Sequence, residues 1–102
     1  MQFWIKWFID KDKIKEYTKL VTDEVIPFWR KQEGFMEIRA YRYPGTTMAI
    51  TDMRFKTYMH WGKAMDAYVK SGLPEKFAMH THGMEFDLFD NSPVIPDPLP
   101  PL

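Results

Sequence analysis

The sequence contains no cysteine among its 102 residues, so it forms no disulfide, offers no thiolate to a metal ion and has no cysteine nucleophile. It also has no excess charge, because 14 basic residues balance 14 acidic ones. A neutral chain lacks the basic surface typical of proteins that bind nucleic acid or anionic membranes, and we expect neither partner. Glycine-rich phosphate loops and serine nucleophile elbows are missing too, which argues against nucleotide-dependent and hydrolase chemistry.

Long hydrophobic runs are also lacking. The apolar segment at residues 1–9 is too short to span a bilayer and has neither the basic leader nor the cleavage site of a signal peptide, so we expect a cytoplasmic protein. Large apolar side chains, in contrast, are abundant, since 45% of the residues are hydrophobic and 17% are aromatic. One small domain buries a smaller share of its surface than a large one, so this composition favours a homo-oligomer or a bound ligand.

The spacing of the apolar residues predicts the element order β-α-β-β-α-β, with a short extra helix before the last strand. The predicted strands cover residues 3–9, 35–43, 47–55 and 84–90, and the predicted helices start after residues 12, 57 and 72. Asp10 or Asp12 is the expected N-cap of the first helix, and Pro27 is expected to kink or end it. The short helix is expected to run to His82.

This order predicts an α+β, ferredoxin-like βαββαβ domain over residues 1–91, with one four-stranded antiparallel sheet and the helices on a single face. Residues 92–102 carry five prolines and are predicted to form an extended C-terminal arm. We expect the arm to lie on a partner subunit. Docking on the chain's own sheet edge and a tail without order are the alternatives.

The two faces of the predicted sheet differ in composition. The set expected to meet the helices is mainly apolar and consists of Phe3, Ile5, Trp7, Ile9, Met36, Ile38, Ala40, Met84, Phe86 and Leu88. The opposite set mixes aromatic residues such as Trp4 and Phe89 with charged ones, and the third strand stays ambiguous because Asp52 and Met53 compete for the core face. Several aromatic side chains on an otherwise open face favour a homodimer, formed by packing two sheets face to face, over a solvated face.

The chain resembles the dimeric α+β barrel superfamily, the antibiotic-biosynthesis monooxygenase-like proteins, over roughly residues 2–90. Three pieces carry the resemblance, namely Glu33-Gly34-Phe35, residues 64–71 and residues 75–80. The resemblance implies a dimer whose subunits each hold an apolar pocket between helices and sheet. It also implies a small aromatic or apolar ligand, and in some members oxygenation without a cofactor.

The run that ends at His80 is most similar to the haem-degrading branch of the superfamily, which implies that His80 is a haem ligand. The sequence departs from that branch at the pocket tryptophan, which is Tyr68 here, and by two additional residues around Leu73-Pro74. The first strand also has no asparagine, a residue that those enzymes use beside the haem. Haem therefore stays a possible cofactor, and no cofactor is the first expectation.

The pocket implied by the resemblance selects a small set of candidate residues. His80, Tyr68 and Trp61 are the catalytic candidates, and Tyr58, Trp61, Met65, Phe77 and Trp7 are the substrate-binding candidates. The alternative for the aromatic residues is a purely structural core. For His80 it is a histidine at a helix end that interacts with the terminal carbonyls. We expect no metal site, although His80, His82 and His60 are weak candidates, because H-x-H side chains diverge on a helix.

Three functions stay open. The first is a small-molecule-binding, monooxygenase-like enzyme that acts on a small aromatic or apolar substrate. The second is a haem-binding or haem-degrading protein that uses His80. The third is a non-catalytic dimeric module that binds a small molecule or a protein.

Overall fold

The computed structural model describes residues 1–90, so the predicted C-terminal arm at residues 92–102 lies outside the described part. The strands are β1 (Gln2–Ile9), β2 (Phe35–Arg42), β3 (Met48–Phe55) and β4 (Thr81–Phe89). The helices are α1 (Ile14–Leu20), a π-helical segment (Val21–Val25), α2 (Ile26–Arg30), α3 (Tyr58–Lys70) and α4 (Leu73–Ala78). Within residues 1–90, no helix combines the length and the apolar character needed to cross a membrane. The cytoplasmic location stays a prediction.

The four strands form one sheet in the order β2-β3-β1-β4, and every neighbouring pair is antiparallel. Ile5 in the middle of β1 lies opposite Thr51 on β3 and Phe86 on β4, which fixes the register of the three strands. The predicted α+β, ferredoxin-like fold is therefore confirmed.

The core lies between this sheet and the helices. Its sheet side is built from the odd-numbered residues of β1 and β3, which are Phe3, Ile5, Trp7, Ile9, Ala49, Thr51, Met53 and Phe55. The ambiguous third strand thus turns Met53 inward. Asp52 lies on the open face, where its carboxylate accepts a 2.9 Å hydrogen bond from the side chain of Gln2.

The apolar face of β4 is not covered as predicted. Met84, Phe86 and Leu88 lie on the helix side, opposite Trp7, Ile5 and Phe3, yet they are 41%, 55% and 37% exposed. The prediction that these residues lie on the helix side is correct, but the expected burial by the helices is not. The ring of Trp61 on α3 packs over Phe3 of β1 rather than over the edge strand β4. Met36 and Ala40 on the other edge strand, β2, are exposed as well.

The first helical region departs from prediction at both ends. Its N-cap is Lys13, without a side-chain cap, so the expected capping by Asp10 or Asp12 is wrong. Pro27 does not end the helical region, because α2 begins one residue before it and runs on to Arg30. The irregularity lies one turn earlier, in the π-helical segment, where the Ile26 N–H donates to the carbonyl of Val21.

The short helix before β4 ends at Ala78 rather than near His82. Thr81 already pairs with Ile9 of β1, and its hydroxyl donates a 2.8 Å hydrogen bond to the carbonyl of Phe77. Sheet pairing thus takes His82 and Gly83 into β4, although the local sequence reads as the end of a helix.

Candidate active site

A groove of about 390 Å³ lies between α4 and the first half of β4. Its lining residues are Trp7, Tyr68, Pro74, Phe77, Ala78, Thr81, His82, Gly83 and Met84. The volume falls within the range of about 300–1,000 Å³ typical of small-molecule sites. We call it the α4–β4 groove. It contains three of the predicted site residues, Trp7, Tyr68 and Phe77.

An aromatic stack forms the inner wall of the α4–β4 groove. The rings of Trp7 and Phe77 lie parallel, with centroids 4.0 Å apart and an interplanar angle of 10°. Both residues are buried, and the ring of Tyr17 packs against Phe77 at 6.0 Å. Packing on both rings makes this wall rigid.

Tyr68 contributes a phenol to the lining of the groove. Its ring stacks on Trp29, with centroids 5.1 Å apart, which fixes the side chain against α2. Burial raises the pKa of the Tyr68 phenol well above its usual value, and the nearby carboxylate of Glu75 raises it further. The phenol is therefore neutral at pH 7 and available as a hydrogen-bond donor.

A second buried phenol, that of Tyr17, lies close to the first. Burial raises the pKa of Tyr17 to about 12, and its hydrogen bond with Thr51 opposes part of that shift. Thr51 is the one polar residue in the buried core of residues 1–90. The Tyr17 hydroxyl thus has a partner inside the core, and its role is structural.

His80 lies on the other side of α4 from the α4–β4 groove. It lines a separate groove of about 340 Å³ between α4 and the first helical region, together with Glu16, Lys19, Leu20, Asp23, Glu24, Lys76 and Met79. Its Nδ1 atom is buried and has no hydrogen-bond partner among the described residues. The structure therefore separates His80 from Tyr68 and Phe77, with which the sequence had grouped it.

The groove beside His80 does not fit haem. Haem combines a broad apolar ring with two anionic propionates, whereas three of the lining residues, Glu16, Asp23 and Glu24, carry carboxylates. The ammonium group of Lys76 is already paired with Glu24. Placing propionates beside these carboxylates would bring like charges together in a partly desolvated site.

The remaining candidates on α3 lie outside the α4–β4 groove. The ring of Trp61 meets Phe3 edge to face at 5.6 Å, and its buried Nε1 has no hydrogen-bond partner in the described chain. Met65 packs at the border of the core, while Tyr58 is 48% exposed. The structure thus places Trp61 and Met65 against the core, and it leaves Tyr58 at the surface.

The three histidines are far from forming one cluster. The ring of His60 is held at the start of α3 by the Thr57 hydroxyl, 2.8 Å from Nδ1, and its Nε2 lies 3.8 Å from a Glu33 carboxylate oxygen. His82 instead pairs with Asp10. Among residues 1–90, no three or more His, Asp or Glu side chains are placed to hold a metal ion together.

The pairing of His82 with Asp10 was missed by sequence reasoning. The Nδ1 of His82 and the Oδ1 of Asp10 are 2.9 Å apart, across 72 positions of sequence. No local motif marks such a pair, because the two residues come from the end of β1 and the start of β4. Only the pairing of these two strands in the sheet brings them together.

Comparison with known proteins supports the fold assignment. No model of a known protein family matches the sequence, and no curated protein does. Solved structures do match. A mutant of SnoaB, a cofactor-independent oxygenase from Streptomyces nogalater, shares 12% identity at a TM-score of 0.76, over 94% of this chain and 96% of that one.

Two further solved structures show how widely the fold is used. A monooxygenase from the gene ActVA-Orf6 of Streptomyces coelicolor, in complex with nanaomycin D, shares 14% identity at a TM-score of 0.70, over 94% of this chain and 91% of that one. A NIPSNAP family protein from Agrobacterium tumefaciens shares 12% identity at a TM-score of 0.69, over 89% and 85% of the two chains. The chain therefore has the fold of the antibiotic-biosynthesis monooxygenase-like superfamily. At these identities the likeness extends to the fold alone.

Proposed function

We propose that this protein binds a small aromatic molecule in the α4–β4 groove and oxygenates it with dioxygen, without a cofactor. The observation that carries the proposal is the lining of that groove, where a neutral buried phenol, Tyr68, lies beside the Trp7–Phe77 stack. The oxygenases SnoaB and ActVA-Orf6, which share the fold, support the reaction type by analogy.

The lining residues suit an electron-rich aromatic substrate. A hydroquinone with a free ring carbon loses four electrons to O₂ in this reaction. One oxygen atom of O₂ bonds to that carbon. The other oxygen atom leaves as water, together with the two hydrogen atoms that the substrate loses. The product is a hydroxyquinone. Negative charge develops on the substrate oxygen as it reacts, and the Tyr68 hydroxyl is a donor that can stabilise this charge in an apolar site.

The proposal is tested by measuring oxygen uptake with a naphthohydroquinone as substrate. We expect O₂ consumption above the rate in buffer alone, one O₂ per product molecule, and one labelled atom in the product when isotopically labelled O₂ is used. Uptake at the buffer rate, with the ligand nevertheless bound, would favour the non-catalytic binding module. If no aromatic ligand bound, the assignment of the groove as a binding site would itself be contradicted.

Tyr68→Phe gives a sharper test, because it removes one oxygen atom and keeps the ring that stacks on Trp29. We expect kcat to fall by about a hundredfold with little change in KM, since the hydroxyl acts on charge that develops during the reaction. Tyr58→Phe is the matched control, as its side chain is exposed on α3 and does not line the α4–β4 groove. An unchanged kcat in Tyr68→Phe would remove Tyr68 from the mechanism.

The dimer is also part of this proposal. On the open face of the sheet, the rings of Trp4 and Phe89 contact each other at 5.1 Å, and the ammonium group of Lys6 lies 5.4 Å from the ring centre of Tyr43. Charges of both signs lie beside them, with Arg54 3.7 Å from Glu37. A face with both signs of charge can complement a second copy of itself across a two-fold axis. We therefore assign a second copy of this chain to the open face.

A further inference from the structure

Another groove lies at the opposite edge of the sheet from β4, between the first helical region and strands β2 and β3. Its volume is about 200 Å³. Its lining residues are Tyr17, Thr18, Val21, Thr22, Ile26, Ala40, Tyr41, Arg42 and Ala49. We call it the α1–β2 groove. It shares no lining residue with the α4–β4 groove, so the two are separate sites.

Small side chains on the two strands open the α1–β2 groove. Ala40 of β2 pairs with Thr51 of β3, and Arg42 pairs with Ala49, so these four residues lie on the helix side together. The methyl groups of the two alanines leave space beneath the first helical region that larger side chains would fill. Ala40 is accordingly exposed, although it is on the helix side of the sheet.

The π-helical segment supplies the opposite wall of the groove. Its Ile26 N–H donates to the carbonyl of Val21, five positions earlier, where an α-helix would bond four positions apart. Val21 and Ile26 both line the groove, so this wall is apolar. Single π-helical turns are rare in proteins and frequent at functional sites.

The charge on the α1–β2 groove has one sign. Arg42 is its charged lining residue, and none of the lining residues carries a carboxylate. One hydrogen bond orients the guanidinium group, which donates to the carbonyl of Thr46 at 3.1 Å. Among residues 1–90, no carboxylate lies within ion-pair distance of Arg42. A guanidinium without a partner can bind a carboxylate through two parallel hydrogen bonds.

We infer that the α1–β2 groove is a further binding site, which takes a small monocarboxylate with an apolar chain. Arg42 holds the carboxylate at the rim, and the chain packs between Val21 and Ala49. The volume lies below the range of about 300–1,000 Å³ typical of small-molecule sites, so the chain is short. On the buried side, the hydroxyls of Tyr17 and Thr51 are already hydrogen-bonded to each other, so the chain needs no polar group there.

The inference is tested by titrating the full chain with hexanoate at neutral pH while amide NMR spectra are recorded. Hexanoate is expected to shift the signals of Ala40, Arg42 and Ala49 until they saturate, and to leave the signals of the α4–β4 groove in place. Hexanol has the same carbon chain without the charge. It is expected to bind at least tenfold more weakly, because it gives the guanidinium no partner of opposite charge.

Three variants separate the charge from the shape of the groove. Arg42→Gln is expected to weaken hexanoate binding at least tenfold and to leave hexanol binding unchanged. Arg30→Gln is the matched control, since Arg30 is exposed at the end of α2 and does not line this groove. Ala40→Leu fills the groove from an exposed position and is expected to abolish the binding of both ligands. A melting curve for each variant shows that it is folded.

Several results would overturn the inference. They are the absence of saturable shifts in the α1–β2 groove, equal affinities for hexanoate and hexanol, and native hexanoate affinity in Arg42→Gln. Binding that weakens as the protein concentration rises would assign the groove to a second copy of the chain. Binding that appears only after truncation at Asn91 would assign it to the tail. Each of these two results also excludes the carboxylate.

The site and the proposed oxygenation stand or fall separately. Hexanoate binding is measured without O₂ uptake and in a different groove, so its failure leaves the oxygenase proposal unaffected. Failure of the hydroquinone to consume oxygen, in turn, has no bearing on Arg42 or on the α1–β2 groove.

Discussion

At the scale of single residues, two buried phenols have different surroundings and therefore different roles. Tyr17 has a hydrogen-bond partner in Thr51 and packs against the outer side of the aromatic wall, where it supports Phe77. Tyr68 lines the α4–β4 groove directly. Burial keeps both phenols neutral, but only Tyr68 is placed to donate to a ligand.

The raised pKa of Tyr17 predicts how stability changes at alkaline pH. Its folded pKa of about 12 exceeds its ordinary value of 10.0, so the folded state holds the proton more tightly than the unfolded state. The free energy of unfolding is therefore unaffected below pH 10 and falls as the pH rises toward 12, by about 2 kcal/mol from this residue. Denaturant titrations across this range measure the effect.

Tyr17→Phe should reduce the alkaline loss without abolishing it, because it removes one of the two buried phenols whose pKa is raised in the folded state, and Tyr68 remains. It should also cost about 1 kcal/mol at neutral pH through the lost bond to Thr51. Tyr58→Phe, at an exposed position on α3, is the control and should leave the alkaline slope unchanged. An equally steep loss in Tyr17→Phe would show that Tyr17 contributes nothing to alkaline unfolding.

At the scale of elements, the connections decide which side chains meet. Gly34 joins α2 to β2 with a φ of +78°, and a Cβ atom there would overlap the ring of His60 at the start of α3. His60 in turn contacts Thr57, the residue that caps α3. One glycine thus permits both a left-handed turn and the close approach of two helical regions.

Gly34→Ala is expected to destabilise the fold for two separate reasons. The left-handed conformation costs an alanine about 1–2 kcal/mol, and displacement of His60 adds at least about 1 kcal/mol more. Gly45→Ala isolates the first cost, because Gly45 also has a positive φ, of +69°, but open space around its Cβ position. Equal losses of unfolding free energy in the two variants would show that contact with His60 is unimportant.

At the scale of the whole molecule, two surfaces of residues 1–90 carry exposed large apolar side chains. One is the open face of the sheet, which we assign to a second copy. The other is the helix side of β4, where Met84, Phe86 and Leu88 are exposed just before the chain enters its proline-rich tail. Exposed patches of this kind are typical of contact surfaces rather than of isolated monomers.

We predict a dimer in which the tail contributes to the contact. Sedimentation equilibrium at micromolar concentration should give twice the chain mass. Truncation after Asn91 should weaken the dimer, because it removes Val94, Ile95, Leu99 and Leu102, side chains that each contribute about 1.5–3 kcal/mol when buried, before ordering costs.

Substitution of the tail apolar residues by serine in the full-length chain provides the matched control for chain length. It should weaken the dimer as the truncation does. A truncated chain that dimerises with the affinity of the full chain would rule out the arm on the partner subunit. A full-length chain that sediments as a monomer would rule out the dimer itself.

The sequence by itself determined the fold. The alternation in β1, the capping Thr57 and the turn at Gly45 are local signals, and each acts through backbone geometry or through the exposure of a few neighbouring side chains. They were enough to predict the four strands in their order along the chain and to place Trp7 on the helix side of the sheet, whereas Tyr68 and Phe77 became site candidates through the resemblance.

Only the tertiary structure decided the candidate site. His80 and His82 are two residues apart, yet the end of α4 and the pairing of β4 with β1 send them to different grooves. Asp10 reads locally as a helix cap, but strand pairing brings it to His82, 72 positions away. Contacts between residues so far apart depend on the register of the whole sheet, and that register leaves no signal in the residues around either partner.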